Sequence, residues 1–540
     1  GRPDAEMCTR SAHDVQTGRD APMRILMLGW EFPPYIAGGL GTACHGLTRA
    51  LDAMGHEVVF VLPRAVETVK PPPGAGEPGR DRDGHVRVLG PGSVGPAAME
   101  AAGDAIRAAE HTPPAPVAPP ALSDSGAVST GTPGVGEHIE RAHASEERGS
   151  FARTTFREVP AAFTSPYPQD DPAFTRGPGG ASGGLGLPSA FLAQSEATAA
   201  FADLWRGVQA AMDAVRREQP QAARAPVRGE GLYGGDLFDA SQRYARLVVA
   251  LARRETFDVI HAHDWLTFPA GLALRAVARK PLVVHVHATE FDRAGANVNE
   301  EVYDIERAGV HGADRVIAVS ELTRSILISR YGVDESRVEV VYNGIDRESL
   351  QPGPGSRIER DDKIVLFLGR LTAQKGPEYF IRAAKMVLEK EPSAKFVVAG
   401  SGDQGVAMVE QAAAAGIGSR VLFTGFLRGD DVRRVFAMAD CYVMPSVSEP
   451  FGLAALEAMS AQTPVIVSKQ SGVAEVLEHA LKVDFWDVEE MANKIVAVLR
   501  HPPLRETLRE HGSLEVHRLT WERAADQVVR SYHRAGVTVM

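Results

Sequence analysis

Three cysteines in 540 residues, Cys8, Cys44 and Cys441, lie far apart and show none of the short spacings that hold a metal. Their scarcity excludes a disulfide-built secreted domain and fits a reducing cytosol, so we expect no structural disulfide. Excess positive charge is lacking too. With 58 Lys and Arg against 69 Asp and Glu, the net charge of −11 gives no general attraction to nucleic acid or to an anionic membrane surface. No apolar run approaches the ~18 residues of a membrane span, so no transmembrane segment is expected. The polar start GRPDAEMCTRSAHDVQTGRDAP has no apolar core of a signal peptide, from which we expect a cytoplasmic protein whose ordered part begins near Met23. Lysine is absent between Lys70 and Lys280, so the lysines of the second half are not an even basic background. What remains is ordinary globular material, 44% hydrophobic and 24% charged, long enough for two or three domains. Nothing in it speaks to oligomeric state.

The apolar runs alternate with helical patterns. RILMLG at 24–29 reads as a strand, a turn with AGGLG leads into an amphipathic helix ending near Gly55, and EVVFVLP is the next strand. From about 65 to 190 the composition turns to Pro, Gly, Ala, Ser and Thr, with stretches that cannot bury enough apolar surface to stay ordered, and a flexible insertion is expected over most of it. A helix is expected around 199–215, where Phe201, Leu204, Trp205, Val208, Met212 and Val215 share one face, and a second around SQRYARLVVALARR. Strands at FDVIHAHDW, PLVVHVHATEFD and ADRVIAVS follow. After VEVVYNGID comes a second series, KIVLFLG, KFVVAG, VLFTGF, CYVMPS and PVIVS, again with helices between. Two doubly wound α/β domains are the reading, and in such sheets ligands bind beyond the carboxyl ends of the strands.

Residues just after those strands carry the chemistry. In LGRLTAQKGPEYF, Arg370 and Lys375 precede a helix opened by Gly376 and Pro377, with Phe380, Ala383, Ala384, Val387 and Leu388 on its apolar face. Helix amides and a positive dipole end favour an anion there, and the two cations would hold a diphosphate. Gly38, Gly39 and Gly41 offer a second loop where backbone can approach a ligand, and a plain strand-to-helix turn would have the same sequence. In SEPFGLAALEAM, Pro450 keeps Glu449 in the entering loop, while Glu457 lies a turn or so inside the helix. The helical rise between them, about 12 Å, exceeds the ~5 to 9.5 Å of a glycosidase acid and base. Two ends of one extended ligand, or a loop-capping Glu449 followed by a solvated helix Glu457, are the two readings left open. His261 with His263, and His285 with His287, each share a strand face. Substrate contact, ordinary buried histidines and a zinc set with Asp264 are the three readings open to them. Asp81 and Asp83 lie in the insertion and are set aside.

Taken together, GGLG, HAHDW, VHATEFD, AVSELT, VYNGID, GRLTAQKG, VVAGSGD and above all EPFGLAALE, a Glu-x7-Glu pattern, resemble the family 4 retaining glycosyltransferases of the GT-B fold. That fold has two facing Rossmann-like domains with a nucleotide-sugar cleft between them, and the likeness covers most of the ordered chain. It implies a disordered extension at 1–22, an N-terminal acceptor domain at 23–345 holding the insertion, and a nucleotide-sugar domain at 346–520. A closing helix at 521–540 would cross back onto the first domain. It further implies that Arg370 and Lys375 neutralise the donor diphosphate, with Gly38, Gly39, Gly452 and Leu453 also at the donor. Glu457 would hold the ribose hydroxyls, Glu449 the donor sugar and His263 the region of the anomeric centre, with His287 as a further substrate contact. No metal and no cofactor are implied, only a nucleotide-diphosphate sugar as co-substrate.

WEFPPYIAGGLG and HAHDW look like bacterial glycogen and starch synthases, which points to ADP-glucose or UDP-glucose and to an α-glucan acceptor. Two departures bear on this. Ile36 stands where those synthases typically carry a lysine, and QSGVAEVLEHALKVDFWD replaces the usual glycine pair after the second glutamate. Transfer of glucose or mannose to a lipid, a small molecule or a surface polysaccharide is the rival reaction. A nucleotide-sugar epimerase, a metal-dependent hydrolase and a non-catalytic nucleotide-sugar sensor are the rivals from other classes.

Overall fold

Central strands of the larger sheet send alternate side chains into two buried layers, which is why they are apolar along most of their length. In the computed structural model, which describes residues 21–32, 38–63, 88–89, 154–158, 236–252, 255–346 and 362–538, Leu26 and Leu28 of β1 (Arg24–Leu28) enter one layer and Ile25 and Met27 the other. Among the described residues this sheet has eight parallel strands. Their order is β3 (Val88–Leu89), β4 (Thr154–Glu158), β2 (Glu57–Leu62), β1, β5 (Val259–His263), β6 (Leu282–Val286), β7 (Arg315–Ala318) and β8 (Val338–Val340). The second sheet is parallel as well, in the order β11 (Val421–Gly425), β10 (Ala394–Ala399), β9 (Lys363–Leu368), β12 (Cys441–Met444), β13 (Val465–Ser468) and β14 (Leu481–Val483).

Most of the stretch from about 65 to 190 lies outside the described residues, but Thr154–Glu158 within it pairs in parallel with Val58–Leu62 of β2, Val58 opposite Thr154 through Leu62 opposite Glu158, and Val88–Leu89 pairs with it in turn. TTFRE has the β-branched and aromatic residues that suit a pleated surface, a local signal outweighed in the sequence by its Pro- and Gly-rich surroundings. The helix expected at 199–215 and the extension at 1–20 lie outside the described residues. The helix expected from Ser241 is present as Asp236–Ala252.

The last helix, Trp521–Arg534, belongs in space to the first sheet. Trp521, Ala524, Ala525, Val528, Val529 and Tyr532 recur at the 3.6-residue period and pack with Met27, Cys44 and Leu47 in one buried layer. Thr520 caps the helix by accepting from the Arg523 amide at 3.3 Å. Its close approach to the Gly39–Ala53 helix depends on Gly46, where a Cβ would sit 2.1 Å from the Trp521 ring.

Candidate active site

The order in which successive strands are added reverses in each sheet. The first sheet winds from β1 to β2 on one side and resumes with β5 on the other; the second winds from β9 through β10 to β11, then resumes with β12 beside β9. Crevices open at such reversals, beyond the carboxyl ends of β1 and β5 and of β9 and β12. Those ends carry Glu31, Gly38, Gly39, His263 and Asp264 in the first domain, and Arg370, Lys375, Ser446 and Glu449 in the second.

On the second-domain side, β9 ends at Leu368 and a short turn, Ala373–Lys375, leads through Gly376 into the Pro377–Lys390 helix. Gly376 has φ 62°, and a Cβ there would lie 2.2 Å from the Pro445 carbonyl oxygen, so only glycine lets the two loops meet. They meet at Lys375 and Glu449. Lys375 Nζ lies 2.5 Å from Glu449 Oε2, and the Ser446 hydroxyl donates to the same oxygen at 3.2 Å. Glu449 is 7% exposed and held by its backbone, donating to Gln470 O and accepting from Gly472 N, both at 2.9 Å. Gly452, φ 113°, turns the chain into the Leu453–Ser460 helix, which carries a half-buried Glu457 whose pKa burial pushes up to about 7. Thus Glu449 is in the loop and Glu457 on the helix, as their spacing around Pro450 requires. Arg370 is half-buried on the same edge.

On the first-domain side, Gly38 precedes the Gly39–Ala53 helix, and a Cβ on Gly38 would lie 2.7 Å from Glu31 Oε2. Sequence reasoning did not single out Glu31. Yet it stands just beyond β1, the place the strand-end rule directs attention to. It is 1% exposed, and burial raises its carboxyl to about 7 against the opposing pull of the Arg370 guanidinium and the Gly41 amide. Arg370, from the other domain, is thus the cation that this carboxylate senses.

The four histidines form one stack. His263 Nδ1 is 2.9 Å from His287 Nε2, and His261 Nδ1 is 2.7 Å from the Tyr532 hydroxyl on the returning helix. His261, His263 and His285 are buried and His287 is partly exposed, so the imidazole nearer solvent is that of His287, with His263 behind it. Burial holds His261 and His287 at about 3 and the other two well below the usual histidine range, so all four are neutral near pH 7. Side-chain nitrogens of His261, His263 and His285 lie close together, but neighbouring rings are within 2 to 29° of parallel. A metal takes each imidazole lone pair in the ring plane, and stacked planes do not converge on one point. Asp264, with φ 56°, holds the end of the stack, accepting the His287 amide at 2.7 Å. Burial raises its carboxyl to about 7, eased by Arg293.

Two parallel sheets with both switch points on one cleft, cations on one side and a glycine turn on the other, define a two-domain transferase of the GT-B fold. Comparison with known proteins makes the class specific. Residues 354–515 match the family described as Glycosyl transferases group 1, residues 206–349 Glycosyltransferase Family 4, and residues 24–80 the Starch synthase catalytic domain. An uncharacterized glycosyltransferase of Methanocaldococcus jannaschii is 34% identical over 52% of this chain and 75% of its own length. D-inositol 3-phosphate glycosyltransferase of Kribbella flavida is 30% identical over 57% of this chain and 80% of its own. Among solved structures, sucrose-phosphate synthase from Thermosynechococcus elongatus shares the fold at a TM-score of 0.57 with 19% identity, covering 95% of this chain and 98% of that one. HepE of Anabaena, in complex with UDP and glucose, does so at 0.55 and 15%, covering 95% and 99%. The chain belongs to the family 4 type of glycosyltransferases and is an enzyme of that class. No helix among the described residues is long and apolar enough to cross a membrane.

Proposed function

We propose that this glycosyltransferase moves glucose, with retention of configuration, from ADP-glucose or UDP-glucose to an α-glucan. The observation that carries the reading is the meeting of Lys375 with Glu449 at the switch point of the second sheet, on the edge where Arg370 also follows β9. Two cations at that edge suit a diphosphate, and the starch synthase match at 24–80 supports a glucan acceptor. In this mechanism the bond from the anomeric carbon to the diphosphate oxygen breaks while the acceptor hydroxyl attacks on the face the diphosphate leaves. Its proton passes to the departing phosphate oxygen. Arg370 and Lys375 stabilise the charge that grows on the leaving group, Glu449 holds the sugar, Glu457 the ribose diol, and His263 and His287 line the sugar side. Gly38, Gly39, Gly452 and Leu453 bring backbone close to the donor. We place the enzyme in the cytoplasm, where the buried free thiols of Cys44 and Cys441 are stable.

Nucleoside diphosphate release from ADP-, UDP- and GDP-glucose and GDP-mannose, each with and without glycogen and with excess chelator, tests this. Glycogen-dependent release from one glucose donor, with an α-linked product by NMR, is expected; release from every donor untouched by glycogen would remove the glucan acceptor. A second reading, transfer to a small phosphorylated polyol, is favoured by relatives named D-inositol 3-phosphate glycosyltransferase. Inositol 3-phosphate in place of glycogen is its test.

Donor binding should depend on pH through Glu457. A ribose diol donates two hydrogen bonds and needs the carboxylate, which forms only above the raised value of about 7. Affinity for UDP-glucose or ADP-glucose, neither of which titrates in this range, should therefore rise about tenfold between pH 6 and 8. Glu31 and Asp264 titrate near the same point, so the comparison is with Glu457→Gln. Equal pH slopes in the two proteins would exclude Glu457 as the ribose ligand.

A further inference from the structure

Ser448, the residue before Glu449, donates its hydroxyl across the cleft to Asp292 Oδ1 at 2.6 Å. We propose that this bond is a latch between the domains that sets Glu449 and Lys375 against the first-domain half of the site, making Ser448 a positioning residue for transfer. The inference rests on the reading of Glu449 and Lys375 as donor contacts.

Both ends of the bond are built rigidly. Asp292 closes a capping box on the short Glu290–Ala294 helix: its Oδ2 accepts the Thr289 amide at 2.8 Å and the Thr289 hydroxyl at 2.7 Å. That leaves Oδ1 for Ser448. The next residue, Arg293, is buried against Glu290 and Glu306 and donates to the Ala288 carbonyl at 3.1 Å, which fixes the short helix to the first domain. On the other side, the Gln374 side chain donates to Ser448 O at 3.1 Å and Gln374 O accepts the Val447 amide at 2.9 Å. Gln374 is the neighbour of Lys375, as Ser448 is of Glu449. One hydroxyl therefore ties the pair that meets at 2.5 Å to a fixed point of the opposite domain. A second contact between the domains, Glu475 accepting the amides of Glu321 and Leu322 at 2.9 and 2.7 Å, does not touch that pair.

The charged diphosphate contacts, Arg370 and Lys375, and the ribose contact, Glu457, lie in the second domain and only the backbone of Gly38 and Gly39 approaches from the first, so the latch acts on turnover far more than on nucleotide binding. Ser448→Ala, which leaves the capping box intact, should lower kcat/KM about tenfold or more, the range for losing a hydrogen bond to a charged group. Affinity for UDP or ADP should stay within about twofold. Ser448→Thr, which keeps the hydroxyl, should recover most of the activity. Added to Asp292→Ala, Ser448→Ala should cost less than about a further twofold, because both remove the same bond. Wild-type turnover in Ser448→Ala, or an undiminished further loss in the Asp292→Ala background, would overturn the latch. Should the wild-type protein turn over no sugar donor, the transfer reading fails by itself. Hydrogen exchange then decides the latch: Ser448→Ala must speed exchange in both 289–294 and 446–449, and unchanged exchange in either sinks it.

Discussion

Lys375→Ala should lower turnover at saturating donor by about 10² to 10³, the loss seen when one preorganised donor to a developing oxyanion is removed. Two physical effects contribute. In the proposed mechanism the ammonium no longer neutralises the diphosphate as the glycosidic bond lengthens, and Glu449, 7% exposed, loses the cation 2.5 Å from its carboxylate and, among the described residues, keeps the Ser446 hydroxyl. An uncompensated carboxylate beside a departing anion opposes the reaction. The variant Lys375→Ala/Glu449→Gln separates these effects. Set against Glu449→Gln alone, the double variant should be about as fast if Lys375 served only as counter-ion to Glu449, and slower by about a further 10² if Lys375 stabilises the leaving diphosphate. Steady-state nucleotide release at saturating donor reads the difference, and a single variant with the wild-type rate removes Lys375 from the mechanism.

The largest stability loss is expected from Trp521→Ala, about 3 to 5 kcal/mol for deleting a buried indole. Trp521 is 4% exposed and lies at the start of the helix that returns to the first sheet. Its ring covers Gly46, which has no side chain to move into the space, so the cavity persists. The packing along Ala524, Ala525, Val528 and Val529 starts from that anchor, and the Tyr532 hydroxyl at its far end partners His261. Thermal unfolding followed by circular dichroism should show a midpoint several degrees below wild type. Release of the returning helix should also lower transfer activity at temperatures where the first sheet is still folded. An unchanged midpoint would mean that the helix is not anchored there.

Much of the fold was legible because its signals are local. A strand buried on both faces must be apolar along its length, so KIVLFL and RILML announce themselves, and a parallel sheet brings the residues after its strands to one edge. Arg370 and Lys375 follow one strand and Glu449 the next, and β9 and β12 are neighbours, so the pair at 2.5 Å lay within reach of that rule. The strand at Thr154–Glu158 was not legible, because pairing with β2 decides it and its Gly- and Pro-rich surroundings speak against it.

By itself the sequence determined the two doubly wound sheets and placed Arg370, Lys375 and Glu449, the residues proposed for the donor, just beyond their strands, since each depends on hydrophobic period and short spacing. Only the tertiary structure decided that Arg370 comes near Glu31, that His287 lies on the solvent side of His263, and that Ser448 reaches Asp292, 156 positions away in the chain. Partners so remote leave no periodic trace, because what joins them is the packing of one domain on the other.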